Sequence, residues 1–159
     1  MINFAFRLII TIIIFTILKY FEIINLPLLI STLFLSDALD CSLSPFKINC
    51  KTYDYQLGDK ITDLIIYFVF LSMFGNLFNT SIRRILMEFL IFRLVGVMLY
   101  GYTNETKYIK AFPDFINSTL IALAICQYTG WNYYTVIIAG MFIKVGFEQI
   151  HHDREYLKK

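Results

Sequence analysis

The 159-residue sequence is poor in charge. Asp, Glu, Lys and Arg make up 16% of it, whereas soluble domains carry about 25%. It has no internal repeat and no Gly/Ser-rich stretch that would separate two modules. The net charge of +2 and the absence of a stripe of basic and aromatic residues exclude a nucleic-acid partner. We therefore expect a single integral membrane domain over residues 1–159.

Zinc-type spacings and a secretory leader are also missing. Cys41, Cys50 and Cys126 include no C-x-x-C pair, and the adjacent His151 and His152 would point to different faces of a helix. These spacings predict reduced thiols and no zinc site. The first apolar run has no short core followed by a small-residue cleavage site, so we expect it to remain as a helix.

Long apolar runs dominate what is present. Hydrophobic residues make up 58% of the chain, and the mean hydropathy is +0.64. This pattern predicts an all-α polytopic membrane protein, a bundle of six transmembrane helices. The predicted helices cover residues 2–18, 26–40, 61–78, 82–102, 112–128 and 131–150, with Gly58 and Asp59 opening the third.

The distribution of basic residues predicts the orientation of this bundle. With the N-terminus in the cytoplasm, ten Lys and Arg residues lie on the cytoplasmic side and three on the other. The sequence therefore predicts that both termini and the interval from Asp37 to Asp63 are cytoplasmic.

The interval from Asp37 to Asp63 is the only long polar stretch, and an acidic pair lies at each end. Asp37/Asp40 and Asp59/Asp63 have i,i+3 and i,i+4 spacings, which put each pair on one helix face. Carboxylates gathered beside hydrocarbon must protonate, find basic partners or bind a cation. Their oxygens suit Mg²⁺, Mn²⁺ or Ca²⁺. The alternative is that the four acids only mark where helices leave the bilayer.

This spacing resembles the motif of the CDP-alcohol phosphatidyltransferase family, D-x2-D-G-x2-A-R followed after about eight residues by G-x3-D-x3-D. Asp37, Asp40, Asp59 and Asp63 match its four aspartates. The family also has six transmembrane helices with a cytoplasmic motif across the second and third. The chain departs from the motif at four positions. Cys41 and Tyr55 stand where the motif has glycine, Ser44 where it has alanine, and Pro45 where it has arginine.

The resemblance implies an activity and a set of roles. The four aspartates would hold two Mg²⁺ or Mn²⁺ ions against the diphosphate of a CDP-linked donor, and Asp63 would act as the catalytic base. Lys47 or Lys51 would replace the missing arginine as substrate-binding cation. The expected partners are membrane lipid and the CDP-linked substrate, with a homodimer among the expected assemblies.

Two other hypotheses stay open. Arg93 lies deep in the fourth predicted helix, where it would meet Glu88, Asp114 or a lipid phosphate, so we include it among the substrate-binding candidates. The missing motif residues favour a non-catalytic homologue or an accessory subunit in which the acids pair with lysines. A small transporter using Arg93 and Glu88 is disfavoured, because the aspartates cluster at one interface.

Overall fold

The structure is a computed structural model that describes residues 2–23, 25–38 and 52–156, and this part of the chain contains helices and turns but no strand. The all-α prediction is confirmed. The helices are α1 (Ile2–Tyr20), α2 (Leu26–Ala38), α3 (Tyr53–Phe74), α4 (Thr80–Thr103), α5 (Lys107–Ala111), α6 (Phe115–Thr129) and α7 (Tyr133–Tyr156), with a 3-10 turn at Gly75–Leu77. They form two compact units, Met1–Met87 and Glu88–Lys159.

Three segments of the described chain are long and apolar enough to cross a membrane: Asn3–Tyr20, Thr80–Thr103 and Lys107–Thr129. The apolar parts of α2 and α7, Leu26–Asp37 and Tyr133–Gly146, are shorter. At a rise of about 1.5 Å per residue, a helix needs roughly 20 apolar residues to cross a hydrocarbon core of about 30 Å. These apolar helices are therefore compatible with a membrane protein, and by length and composition three of the described segments could span a membrane.

In the first unit, α1 packs against both α2 and α3. Its centre is aromatic: the ring of Phe15 lies 5.9 Å from that of Phe70 and 5.5 Å from that of Phe74. All three side chains are at most 1% exposed. Because α1 presents Phe15 to this cluster, the face of α1 that continues toward its N-terminus also points at α3.

The third helix begins earlier than the sequence predicted. Thr52 caps it by accepting a 3.4 Å hydrogen bond from the backbone N–H of Tyr55, so α3 starts at Tyr53 rather than at residue 61. Gly58 and Asp59 therefore lie inside the helix, and the prediction that they open it is wrong. The reason is that the polar residues 53–60 continue the buried face of α3, on which Tyr55, Asp59 and Asp63 recur every fourth position.

The second unit contains the rest of α4 together with α5, α6 and α7, and α6 and α7 pack against each other. Asp114 caps α6 by accepting a 3.0 Å hydrogen bond from the N–H of Ile116. The sequence predicted a helix from residue 112, but residues 112–114 form the turn before α6. The short α5 was not predicted, because its five residues lie inside what was interpreted as a connecting loop.

Candidate functional site

The centre of the candidate site is Arg7, a charged residue in the second turn of α1. It interrupts an otherwise apolar segment, and only 2% of its surface is exposed. A buried guanidinium has to be matched by acceptors, because its desolvation costs several kcal/mol. The structure supplies these acceptors from α2 and α3.

Three aspartates surround the guanidinium group. Its Nη1 donates to Asp59 Oδ1 at 2.7 Å, and its Nη2 donates to Asp63 Oδ1 at 2.5 Å. Asp37 Oδ1 lies 3.7 Å from the same Nη2. The Asp59 and Asp63 side chains are 9% and 10% exposed, whereas that of Asp37 is 58% exposed. The end of α2 and the first half of α3 therefore meet at one arginine of α1.

Lys60 is a second cation at the same acids. Its Nζ donates to Asp59 Oδ2 at 2.5 Å and lies 3.7 Å from Asp63 Oδ2. The Lys60 side chain is 27% exposed, so the ammonium lies at the outer side of the buried pair. Asp59 thus binds a different cation with each of its oxygens.

A pair of hydroxyl groups fixes the other edge of Arg7. Its Nε donates to Ser36 Oγ at 3.2 Å. The Thr11 hydroxyl lies 2.8 Å from the Arg7 carbonyl and 2.9 Å from the Ser36 hydroxyl. Because each hydroxyl has one proton, Thr11 donates to the carbonyl and Ser36 donates to Thr11. Each of the three guanidinium nitrogens therefore has a partner from α2 or α3.

Close packing of α1 on α3 brings the charges within reach. The ring of Phe4 lies 5.2 Å from that of Tyr55, one turn before Asp59. A Cβ atom on Gly58 would be only 2.4 Å from the Phe4 ring, so a larger residue at position 58 would displace this ring from its observed place. Glycine at residue 58 thus lets α1 approach the face of α3 that carries the acids.

The structure brings together some of the predicted site residues. Asp37, Asp59 and Asp63 meet around Arg7. The remaining predicted residues of the interval, Asp40, Lys47 and Lys51, lie outside the described residues. Their assigned roles, like the metal and catalytic roles of the three described acids, stay predictions.

Arg93 lies in the second unit and is 3% exposed. Its Nη1 donates to the carbonyl oxygen of Phe112 at 2.5 Å and, less closely, to that of Ile109 at 3.4 Å. The sequence led us to expect a carboxylate or a lipid phosphate there, but these carbonyls close the end of α5. Arg93 thus ties α4 to the turn before α6, and its substrate-binding role stays a prediction.

Sequence reasoning missed Arg7 as a partner of the acids and counted it only among the cytoplasmic basic residues. It offered Lys60 as a possible partner of Asp37 and Asp40, whereas the structure places Lys60 at Asp59 and Asp63. A signal for Arg7 was present: a lone arginine inside an apolar run requires a counter-charge. Lys60 directly follows Asp59 and precedes Asp63 by three positions, which is a spacing that allows an ion pair on a helix.

The chemistry of the acids fits a divalent ion, but their present arrangement is around cations of the protein. Carboxylate oxygens are the donors that Mg²⁺ and Mn²⁺ prefer. In the described part of the chain, however, no three acidic, His or Cys side chains form a metal-binding group. The Oδ1 atoms of Asp37, Asp59 and Asp63 all face Arg7 instead.

Comparison with known proteins does not extend the family resemblance. No family model matches the chain, and neither a curated protein nor a solved structure matches it.

Proposed function

We propose that the protein is a divergent CDP-alcohol phosphatidyltransferase, which transfers a phosphatidyl or phosphoalcohol group from a CDP-linked donor to an alcohol and releases CMP in phospholipid synthesis. One observation carries this proposal: Asp37 of α2 and Asp59 and Asp63 of α3 contact the same guanidinium. These acids match three of the four motif aspartates. Their convergence supports a common site for the motif.

The roles of the acids follow from the donor chemistry. Asp37, Asp40, Asp59 and Asp63 would hold Mg²⁺ or Mn²⁺. The bound ions would neutralise the diphosphate and the charge that develops on the leaving CMP. The protein would hold the donor so that the hydroxyl oxygen of the alcohol attacks phosphorus as the bond from phosphorus to the CMP oxygen breaks.

Asp63 is the proposed base that accepts the proton of the attacking hydroxyl. Its Oδ1 accepts the hydrogen bond from Arg7, whereas its Oδ2 makes no bond to Arg7 and lies 3.7 Å from Lys60 Nζ. Oδ2 is therefore the oxygen we assign to proton transfer. Among the cations that the structure describes, Lys60 is the best placed to bind the donor phosphates. Lys47 and Lys51 of the interval are the other proposed phosphate-binding residues.

The proposal includes a topology. We infer six spans, with both termini and the interval from Asp37 to Asp63 in the cytoplasm; the spans would be α1, α2, α3, α4, the α5 and α6 segment, and α7. In this orientation the acids lie at the membrane boundary, where a lipid-linked diphosphate and a soluble alcohol can meet. Membrane lipid is thus the expected partner of the site.

A second candidate is a non-catalytic homologue or accessory subunit. The observation that favours it is the pairing of Asp59 and Asp63 with Arg7 and Lys60, which neutralises the buried acids without a metal. In that case the acids would join helices and would take no part in a reaction.

Release of CMP decides between the two functions. Purified protein in lipid, offered a panel of CDP-linked donors and alcohols, should release CMP with Mg²⁺ or Mn²⁺ and stop when the metal is chelated. Asp63→Asn should abolish turnover, while the matched change Asp54→Asn, at an exposed acid outside the motif, should not. Absence of CMP release across the panel would support the non-catalytic function, and full activity of Asp63→Asn would reject its role as base.

A further inference from the structure

The turn between α6 and α7 lies in the longest stretch of the sequence without a charged residue. Residues 115–143 contain no Asp, Glu, Lys, Arg or His. The two helices pack against each other and form a hairpin, and we call residues 128–134 at its end the α6–α7 tip. The segment Lys107–Thr129, which is long and apolar enough to cross a membrane, ends at this tip. The tip can therefore enter lipid without burying a charge.

The α6–α7 tip exposes aromatic side chains. Tyr128, Trp131 and Tyr134 are 75%, 66% and 46% exposed. The ring of Tyr133 lies 4.2 Å from that of Tyr134. Trp and Tyr combine an apolar ring with a polar group, and they are enriched where a membrane meets water. Such a group of exposed rings, with no charge beside them, fits the lipid headgroup region better than bulk water.

The turn provides acceptors for its own backbone N–H groups. The N–H of Trp131 donates to Thr129 Oγ1 at 3.4 Å. Asn132 Oδ1 accepts from the N–H of Tyr134 at 3.0 Å and from that of Thr135 at 3.4 Å. These donors do not depend on water for a partner, so the turn can lie where water is scarce.

The length of α7 limits how far the tip extends. Lys144 is the first charged residue after the tip and lies eleven positions beyond Tyr133. At a rise of about 1.5 Å per residue this is about 17 Å, whereas a hydrocarbon core is about 30 Å thick. When the long Lys144 side chain reaches the headgroups at one boundary, the tip therefore ends near the opposite boundary and does not protrude into water.

We propose that the α6–α7 tip inserts into the lipid headgroup region and anchors the second unit there through its aromatic side chains. The partner is the lipid bilayer itself. The headgroup region is the expected depth, because there the indole and phenol rings leave water while their polar atoms stay in contact with it. The inference goes beyond the proposed function and does not depend on it, since it uses no residue of the candidate site.

Fluorescence of the wild-type protein tests this depth directly, because Trp131 is the only tryptophan of the chain. The protein is placed in nanodiscs of phosphatidylcholine whose acyl chain carries bromine either near the glycerol or near the terminal methyl group. Bromine near the glycerol should quench more of the emission than bromine near the methyl end. Iodide, which stays in the water, should quench little of it.

A matched control moves the indole to a charged loop of the same unit. The double variant Trp131→Phe, Glu105→Trp places it between α4 and α5, where the Glu105 side chain is 50% exposed and pairs with Lys107. Circular dichroism should match that of the wild type, and iodide should quench the relocated indole more than lipid bromine does.

Three results would overturn the inference. Iodide quenching of the wild type as strong as that of the control would place the tip in water. Quenching that is strongest from the methyl end would place the tip in the hydrocarbon core, and protection from both quenchers would show that protein covers it. Each result is independent of CMP release, so the anchor and the proposed activity can fail separately.

Discussion

Arg7 and Asp63 form a 2.5 Å ion pair although they are 56 positions apart in the sequence. The pair joins α1 to α3, and its side chains are 3% and 10% exposed. A buried charge pair with good geometry contributes little net stability compared with apolar packing, but removing one partner leaves a costly buried charge. The first unit is therefore sensitive to changes at this pair.

We expect Arg7→Met to lower the free energy of unfolding of the metal-free protein by about 3–5 kcal/mol, because Asp59 and Asp63 lose their buried counter-ion. Denaturation by sodium dodecyl sulfate in mixed micelles, followed by circular dichroism, measures the change. Arg84→Met serves as the matched control. A fully stable Arg7→Met would contradict the structural role of the pair.

Asp59 and Asp37 should respond differently to removal of their charge. Asp59→Asn should destabilise the first unit by about 3–5 kcal/mol, since Asp59 binds both Arg7 and Lys60 in a buried position. Asp37→Asn should cost less than about 1 kcal/mol, because its side chain is 58% exposed. The same denaturation experiment compares them, and equal effects would show that burial does not set the strength of these contacts.

Gly96 gives a test of packing in the second unit. A Cβ on Gly96 would lie 2.3 Å from the Cβ of Phe112, so Gly96→Ala should destabilise this unit by about 1–3 kcal/mol through overpacking. Gly146 is the matched control, because nothing lies within 4 Å of a Cβ there. Gly146→Ala should be neutral or slightly stabilising, as alanine favours helix. In detergent, the thermal unfolding temperature should fall for Gly96→Ala and should stay the same or rise slightly for Gly146→Ala.

The proposed orientation predicts which loops react with an impermeant maleimide. In a variant with Cys41, Cys50 and Cys126 replaced by serine, a cysteine at the exposed Glu22 between α1 and α2 should be labelled on intact cells. A cysteine at the exposed Asp54 should be labelled only after the membrane is opened. The reverse pattern would place the acids on the outer side and would exclude a cytoplasmic active site.

The apolar runs were enough to predict where most helices lie, because a stretch of apolar residues of that length has few alternatives. They were not enough to predict how α3 begins. Residues 53–60 are mostly polar, and a polar stretch without the regular apolar spacing of a buried helix indicates a loop. The helix depends instead on Thr52, which caps it, and on the packing of Tyr55 against Phe4, a residue of another helix. Such a tertiary contact has no signal in the local pattern.

The candidate site was predicted in part for a similar reason. The i,i+4 spacing of Asp59 and Asp63 shows that they share a helix face, and Asp37 was assigned to the same site from its resemblance to a motif. The partner of these acids was missed because Arg7 is 52 positions before Asp59 and nothing in its surroundings identifies an acid. The sequence does place a charged residue inside each of two apolar runs, Arg7 in the first and Asp63 in the third. Considering these two charges together would have suggested that they pair.

The distance in sequence between Arg7 and its partners affects how the protein is made. When α1 leaves the ribosome, the two acids that bind its arginine most closely have not yet emerged. Arg7 lies near the start of the apolar segment Asn3–Tyr20, so its long side chain can reach the lipid headgroups during this time. Burial of the arginine must then wait until α3 has been translated. In nascent chains arrested before residue 59, α1 should therefore not yet occupy its position in the folded unit. The first unit should complete its packing only when α3 arrives.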